Sequence, residues 1–370
     1  MKTPLRLLLP LALLSWAPLY AQDEAAPSDP AQPTPSEPTS ERDQLVQDDP
    51  INEPAQWGRG PLEVAEPYIL ALSRARPWAT SPETPGHLGA QIALRTVWAN
   101  SYAFETNRFA IDAETRHVFL SARFGIGERF SLGLLAEYQW RGGGTLDGFI
   151  DDFHRAFGLP QADRSRRPED RYLVTGLQAD GQTTTLRHAG YGWSDLVLEG
   201  RANLLKGDRL LPALTATLRL RLPTGRGKFK TADGVDPTFQ LDASKRLGTL
   251  PIVLYAGVAY TYHSQGRIEQ LELYRHRAFG YLGLELEFAD MLSFVVHVWG
   301  ESPRERTLWK DRVGVPRTDL TTQNLVTYVA FGFKAEPRKG LIFELGVLEN
   351  LVDPEVTADL GVMFNVTLQL

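Results

Sequence analysis

A chain of 370 residues can form one large domain or two ordinary ones, and 43% hydrophobic with 23% charged residues averages to a mean hydropathy of -0.24. Such an average hides any alternation along the chain, so it does not exclude a membrane barrel. The absence of cysteine excludes disulfides, thiol catalysis, cysteine-ligated zinc, iron–sulfur clusters and the acylated cysteine of a lipoprotein. The net charge of -6 is unevenly spread, with consequences for partners.

Lys2 and Arg6 precede an apolar run from Leu7 to Trp16, and Leu19-Tyr20-Ala21 supplies a cleavage end with a small last residue. Residues 1–21 therefore read as a signal peptide, too short to span a bilayer. From Gln22 to Gln56 there are seven prolines, nine acidic residues and one basic residue, Arg42. That stretch cannot bury enough apolar area to offset the entropy of ordering, and is expected to be a disordered acidic leader. The signal carries +2 and the leader -8, which leaves Trp57 to Leu370 neutral. A neutral body argues against a nucleic-acid surface.

Residues 57–86, with apolar Tyr68, Ile69, Leu70 and Leu72 among several prolines, read as a plug in a lumen or as a periplasmic linker. From residue 87 to 370 the apolar residues alternate with period two, the mark of strands with one oily and one wet face. Alternation runs through Leu88 to Trp98, Val118 to Phe124, Phe130 to Trp140, Leu196 to Leu204, Leu214 to Leu222 and Phe239 to Ala243. It continues through Ile252 to Tyr262, Gly280 to Phe288, Phe294 to Val298, Leu325 to Phe333, Leu341 to Val347 and Leu360 to Leu370. About twelve strands are predicted.

Within most of these strands the charges keep to the wet parity: Arg95, Arg123, Glu137, Glu199, Arg201, Arg219, Arg221, Asp242, Glu285 and Glu287. A lipid-facing Arg or Lys near mid-bilayer costs roughly 2–4 kcal/mol, so a membrane barrel must keep its outer face clean. Glu114, Arg116 and Lys245 depart from the rule toward strand ends, where the penalty falls. Short turns such as Gly125–Arg129 and Ala289–Met291 alternate with long connections through Trp140–Trp193, Pro223–Pro237, His263–Arg277 and Glu301–Thr322. With the long loops outside, Phe124, Phe130, Phe288, Phe294, Phe333 and Phe343 fall at the periplasmic ends. Trp98, Tyr138, Trp140, Tyr260 and Tyr262 fall at the outer ends, so two aromatic girdles are expected. The fold class is all-β: a transmembrane antiparallel up-and-down barrel, with a periplasmic sandwich as the competing reading.

In the longest outer loop, Leu146, Phe149, Ile150, Phe153 and Phe157 recur at helical spacing, with Thr145 placed to cap the start and Gly158 with Pro160 ending the pattern. This short amphipathic helix is expected to pack on the rim or fold into the lumen, with a ligand gate or a lipid-surface contact as the alternatives. Asp151 and His154 share a side of it at i,i+3 spacing, which could hold a metal or a proton relay, but without a third ligand or a nucleophile they read as a solvated polar face. Tyr262-His263-Ser264 invites comparison with outer-membrane phospholipases, yet neighbouring strand residues point to opposite faces unless the strand has ended. Gly225-Arg226-Gly227-Lys228 lacks the spacing of a phosphate-binding loop. No G-x-S-x-G, H-E-x-x-H or G-x-G-x-x-G stands in a supporting context, so neither enzyme activity, a cofactor nor a metal is expected.

Gly60-Pro61-Leu62, Gly142 to Pro160 and Gly190-Tyr191-Gly192-Trp193-Ser194-Asp195-Leu196 resemble a proteobacterial outer-membrane family, domain of unknown function 3187. The likeness runs from about Gly60 to the C-terminus. It implies a secreted β-barrel and supplies no activity or catalytic residues. One departure from barrels generally is a final Leu370 in place of the usual aromatic, which weakens the signal to the barrel assembly machinery.

The expected protein is a monomeric outer-membrane barrel in contact with lipid. The inward charges either pair in a hydrated interior or line a selective channel. The favoured role is passage or binding of a small solute. A structural or assembly role without a solute path is the alternative, and a surface hydrolase comes last.

Overall fold

The computed structural model describes residues 58–72, 75–105, 109–158, 164, 167–177, 182–229, 233–268, 271–302, 305–307, 309–310, 316–317, 325–352 and 357–370. Residues 1–56, read from the sequence as a signal peptide and an acidic leader, lie outside them. Twelve long strands form the wall: β1 Ala90–Glu105, β2 Phe109–Ile126, β3 Phe130–Gly142, β4 Val197–Leu205, β5 Ala213–Arg221, β6 Asp236–Arg246, β7 Ile252–Tyr262, β8 His276–Ala289, β9 Leu292–Glu301, β10 Val326–Arg338, β11 Leu341–Val352 and β12 Leu360–Gln369. Each pairs antiparallel with its neighbours in chain order, and β1 closes on β12 with Gln91 opposite Gln369 and Asn100 opposite Leu360. Backbone bonds between Ala90 and Leu370 seal that seam at 3.0 and 2.7 Å. Closure leaves no edge, the condition for a sheet in hydrocarbon.

The parity expected from the sequence is the parity of the wall. Leu94, Leu120, Leu132, Leu218 and Leu254 are exposed, whereas Arg95, Arg219 and Glu285 are buried. A protein with oily residues outside and ionic residues inside has lipid as its solvent. At the short-turn end Phe333 packs against Phe294 and Phe288, with ring centroids 5.4 and 6.4 Å apart. At the other end Tyr138 meets Trp193 at 5.3 Å.

Several strands outrun the alternation visible in the sequence. β1 and β2 have 16 and 18 residues where about 9–11 cross a bilayer, and the excess rises at the long-loop end. There Leu173–Leu177 extends the wall by pairing with β2, and Gly190–Trp193 pairs with the upper part of β3.

Residues 58–72 and 75–85 run inside the barrel. Leu62, Val64, Tyr68, Ile69, Leu70, Leu72 and Ala79 join one buried cluster with Val97, Ile111, Val253, Tyr255, Trp299, Tyr328 and Met363 of the wall. Part of the interior is therefore an apolar core, and the paired charges occupy the rest. Inward Val, Tyr and Trp residues share the wet parity with the charges and are covered by the internal strap.

Helix α1, Asp147–Phe157, lies against the outside of the wall. Leu146 and Ile150 pack on Leu360, with Trp98, Val347 and Val362 around them. Thr145 does not cap it. Leu146 stands at the N-cap, where its aliphatic side chain offers no acceptor, and its own N–H donates to the Glu114 carboxylate. Gly158, at φ 68°, ends the helix in the left-handed conformation that glycine adopts without strain.

Candidate functional site

The inward charges of β2 to β6 meet in the barrel interior. Arg123 Nε donates to Glu199 Oε1 at 2.8 Å, and Arg219 Nε donates to Glu199 Oε2 at 2.8 Å, so one carboxylate bridges two guanidinium groups. Arg219 also donates to Gln240 Oε1 at 2.6 Å. Glu137 is held by His117 Nδ1 at 2.9 Å, by Arg221 at 3.7 Å and by a direct bond from Arg76. Arg221 reaches Asp195 at 3.4 Å. On β6, Asp242 accepts from Gln240 Nε2 at 2.7 Å and from the Tyr281 hydroxyl at 2.8 Å.

The strap supplies partners for the same groups. Arg95 forms an ion pair with Glu63 and donates to Ser121 Oγ at 2.7 Å. Thr80 Oγ1 donates to Asp242 at 3.0 Å, Gln240 Nε2 to the Trp78 carbonyl at 2.9 Å, and Arg201 to the Ser81 carbonyl. Glu285 accepts from the backbone N–H of Arg59 at 2.9 Å and from the Tyr255 hydroxyl. Glu287 pairs with Arg246 at 2.9 Å and lies 3.8 Å from Arg59. Every inward charge singled out from the sequence thus has an internal partner.

Trp78 carries the largest side chain between Arg76 and Pro82. Its ring lies 4.2 Å below the Arg219 guanidinium and 6.3 Å from the Phe119 ring, with Ala65, Leu135 and Val197 completing the contact. The two cavities beside it have volumes of about 20 and 10 Å³, room for roughly one water each.

Sequence reasoning missed Arg59, Glu63, Glu66, Arg76 and Trp78, because the strap has no alternation that says which way a residue points. It also missed Lys334 and Glu344, paired at 2.8 Å, with Glu344 further bonded to Asn365 at 2.8 Å and to the Glu63 N–H at 3.1 Å. Those two stand opposite Phe333 and Phe343 in parity: Lys334 lies one residue past the alternation read at Leu325 to Phe333, whereas Glu344 falls within Leu341 to Val347 and was open to the rule that found Arg95.

Outside the barrel, His154 approaches Glu349 at 3.6 Å, and Asp359 completes a group whose ligand atoms all lie within 4.8 Å of one another. The partners for His154 come from β11 and the approach to β12. Asp151 lies 3.9 Å from Arg164. Arg164 also bonds Asp147 at 2.7 Å and donates to Asp359, so one of the three carboxylate and imidazole groups is already engaged by a cation. Phe149 and Phe157 are exposed, and Phe153 is partly so.

The His263 and Ser264 side chains do not point to opposite faces, because β7 has ended at Tyr262. His263 Nδ1 lies 3.1 Å from Asp236 Oδ2, and Ser264 Oγ donates to Asp236 Oδ1 at 2.8 Å. The carboxylate sits between imidazole and hydroxyl, whereas a nucleophile relay requires the imidazole there. The serine proton is committed to the aspartate.

A closed twelve-strand wall with an oily outside, aromatic bands and an ionic inside defines an outer-membrane β-barrel. The chain belongs to the family described as Protein of unknown function (DUF3187), whose model matches residues 52–369. No curated protein matches it. Among solved structures it is similar to the COG4313 outer membrane channel from Pseudomonas putida F1, at 9% identity over 78% of this chain and 97% of that one, with a TM-score of 0.52. It also matches the NanC porin at 8% identity, over 75% of this chain and 97% of that one, with a TM-score of 0.38.

Proposed function

We propose that the protein is a gated passage for a small polar or charged solute, exported with a cleaved signal peptide and inserted as a single barrel in the outer membrane of a Gram-negative bacterium. The observation that carries this reading is chemical. From Arg76 to Pro82 the strap holds the wall largely by ionic and hydrogen-bonded contacts, to Glu137, Asp242, Gln240 and Arg201. A charged solute can replace such contacts one for one. The apolar arm from Leu62 to Leu72 has no such substitute, because exposing it forfeits roughly 1.5–3 kcal/mol per large side chain. The apolar arm therefore serves as the anchor and the Arg76–Pro82 arm, with Trp78 as its stopper, as the gate. The charges the arm covers, Arg201, Arg219, Glu137 and Asp242, would then select the solute. The similarity to an outer membrane channel is one of fold and is compatible with this role.

Planar-bilayer recording tests it. The full chain is expected to conduct rarely, and deletion of residues 22–85 is expected to give steady conductance with an ion preference that changes on Arg219→Gln. A deleted barrel that folds, shown by heat-modifiable migration in gels, yet stays silent favours the second reading, a structural role in the envelope. Small internal cavities beside Trp78 are the observation on that side.

A further inference from the structure

We propose that the outer face around α1 is a docking site for an anionic lipid of the outer leaflet, with the helix aromatics among the acyl chains and Arg116 at the headgroup. The helix uses only part of its circumference to hold the wall, through Leu146, Ile150, the buried His154 and one side of the half-buried Phe153. Phe149, Phe153 and Phe157, four residues apart, share the adjoining flank, and their rings follow one another at 6.3 and 4.7 Å. Phe149 is 48% exposed and Phe157 66%. Asp152 and Arg155, paired with each other at 2.8 Å, stand on a third, polar flank. Apolar, aromatic and charged flanks in that arrangement suit a helix lying in the plane of a membrane interface.

The occupant follows from what the aromatic stripe continues. The helix sits on Val347, Val362 and Leu360, which belong to the outward parity of β11 and β12, and directly on Trp98 of the outer girdle. Its exposed flank is thus an extension of the surface that already meets lipid. The headgroup contact is built beside it. Arg116, an outward residue of β2, lies between the rings of Trp98 and Trp140 at 4.4 and 4.5 Å. Glu114, 3.9 Å from Arg116, is already engaged by Trp98 Nε1 at 2.6 Å and by the N–H of Leu146. The Arg116 side chain remains 45% exposed. A guanidinium stacked between two interfacial indoles is fixed in place with its edge free, the geometry that grips a phosphate oxygen. Trp98 packs on the cluster that seats the helix and stacks on Arg116, and Glu114 joins Trp98 to the helix start, so the two halves form one site.

The natural absence of cysteine makes the first test direct. Spin labels on Phe149→Cys, Phe157→Cys and Asp152→Cys are compared in vesicles of phosphatidylethanolamine with phosphatidylglycerol. Labels at 149 and 157 are expected to be open to oxygen and shielded from a water-soluble nickel chelate, and the label at 152 to show the reverse. Equal access of the chelate to all three overturns the docking site. The second test is native mass spectrometry of the detergent-solubilised full chain with phosphatidylglycerol. Arg116→Gln is expected to retain about fivefold less lipid than the parent, the effect of one interfacial cation, with heat-modifiable migration unchanged. Equal retention overturns the headgroup assignment. Competition of inorganic phosphate for the site, without loss of the acyl signal at 149 and 157, would make it a phosphate site and overturn the lipid one.

Discussion

Glu199 is the residue on which the interior converges, since it bridges Arg123 and Arg219 and faces Arg201 in the same space. Glu199→Gln keeps the shape and removes the charge, leaving three buried guanidinium groups undercompensated. A loss of about 3–5 kcal/mol is expected, read from reversible urea unfolding in lipid. Glu83 gives a smaller effect of opposite character. Burial pushes its carboxyl above the usual value of 4.5, although Gln369 Nε2 donates to it at 3.0 Å. A raised carboxyl stabilises the folded state below its unfolded pKa, and that stability is lost as pH rises through the folded one. The gap in unfolding midpoint between Glu83→Gln and the parent is therefore expected to widen in the variant's favour as pH climbs from 4 to 8. A constant gap would show that Glu83 ionises in the fold as it does in the unfolded chain. Of these two residues only Glu199 was legible in advance, because parity orients a strand residue and nothing comparable orients one in an irregular strap.

Strands and helix were legible to different depths. The twelve segments from Leu88 to Leu370 were readable because hydrocarbon outside and ions inside enforce alternation on nearly every residue. Where β1 and β2 rise above the bilayer that pressure ends, and so did the visible pattern. The helix was readable from its spacing, but its seat on the outer wall was not, since an apolar stripe fits a rim, a lumen or a membrane equally well. The strap depends on an element-level device in the wall. A Cβ at Gly257 of β7 would lie 2.2 Å from the Tyr281 ring and 2.9 Å from Asp242 Oδ1, so glycine there lets the ring lie across the strand. The Tyr281 hydroxyl then reaches Asp242 at 2.8 Å and the Thr80 carbonyl at 3.2 Å. Gly257→Ala should push that ring away, cost about 1–3 kcal/mol and loosen the strap's polar arm. The expected bilayer signature is more frequent opening of the full chain, and unchanged gating would detach Tyr281 from the gate.

At the scale of the whole molecule the decisive quantity is which solvent each surface meets, and it separates this barrel from a soluble sandwich. Leu134 and Leu135 are neighbours on β3. Leu134 is 46% exposed and Leu135 is buried against Phe119 and Trp78. In water, Leu134→Arg would be nearly neutral, because surface substitutions away from special features change stability by about 0.5 kcal/mol or less. In a bilayer the same change puts a cation against acyl chains and should cost about 2–4 kcal/mol, falling toward zero for a position at either girdle. Leu135→Ala opens a cavity beside Trp78 and should cost about 2–5 kcal/mol in either solvent. Comparing both variants in lipid vesicles by urea unfolding separates the cases. A large loss from Leu134→Arg comparable to that from Leu135→Ala is the signature of lipid on the outside. A negligible loss from the first beside a large one from the second would mean that the oily face of β3 meets something other than hydrocarbon.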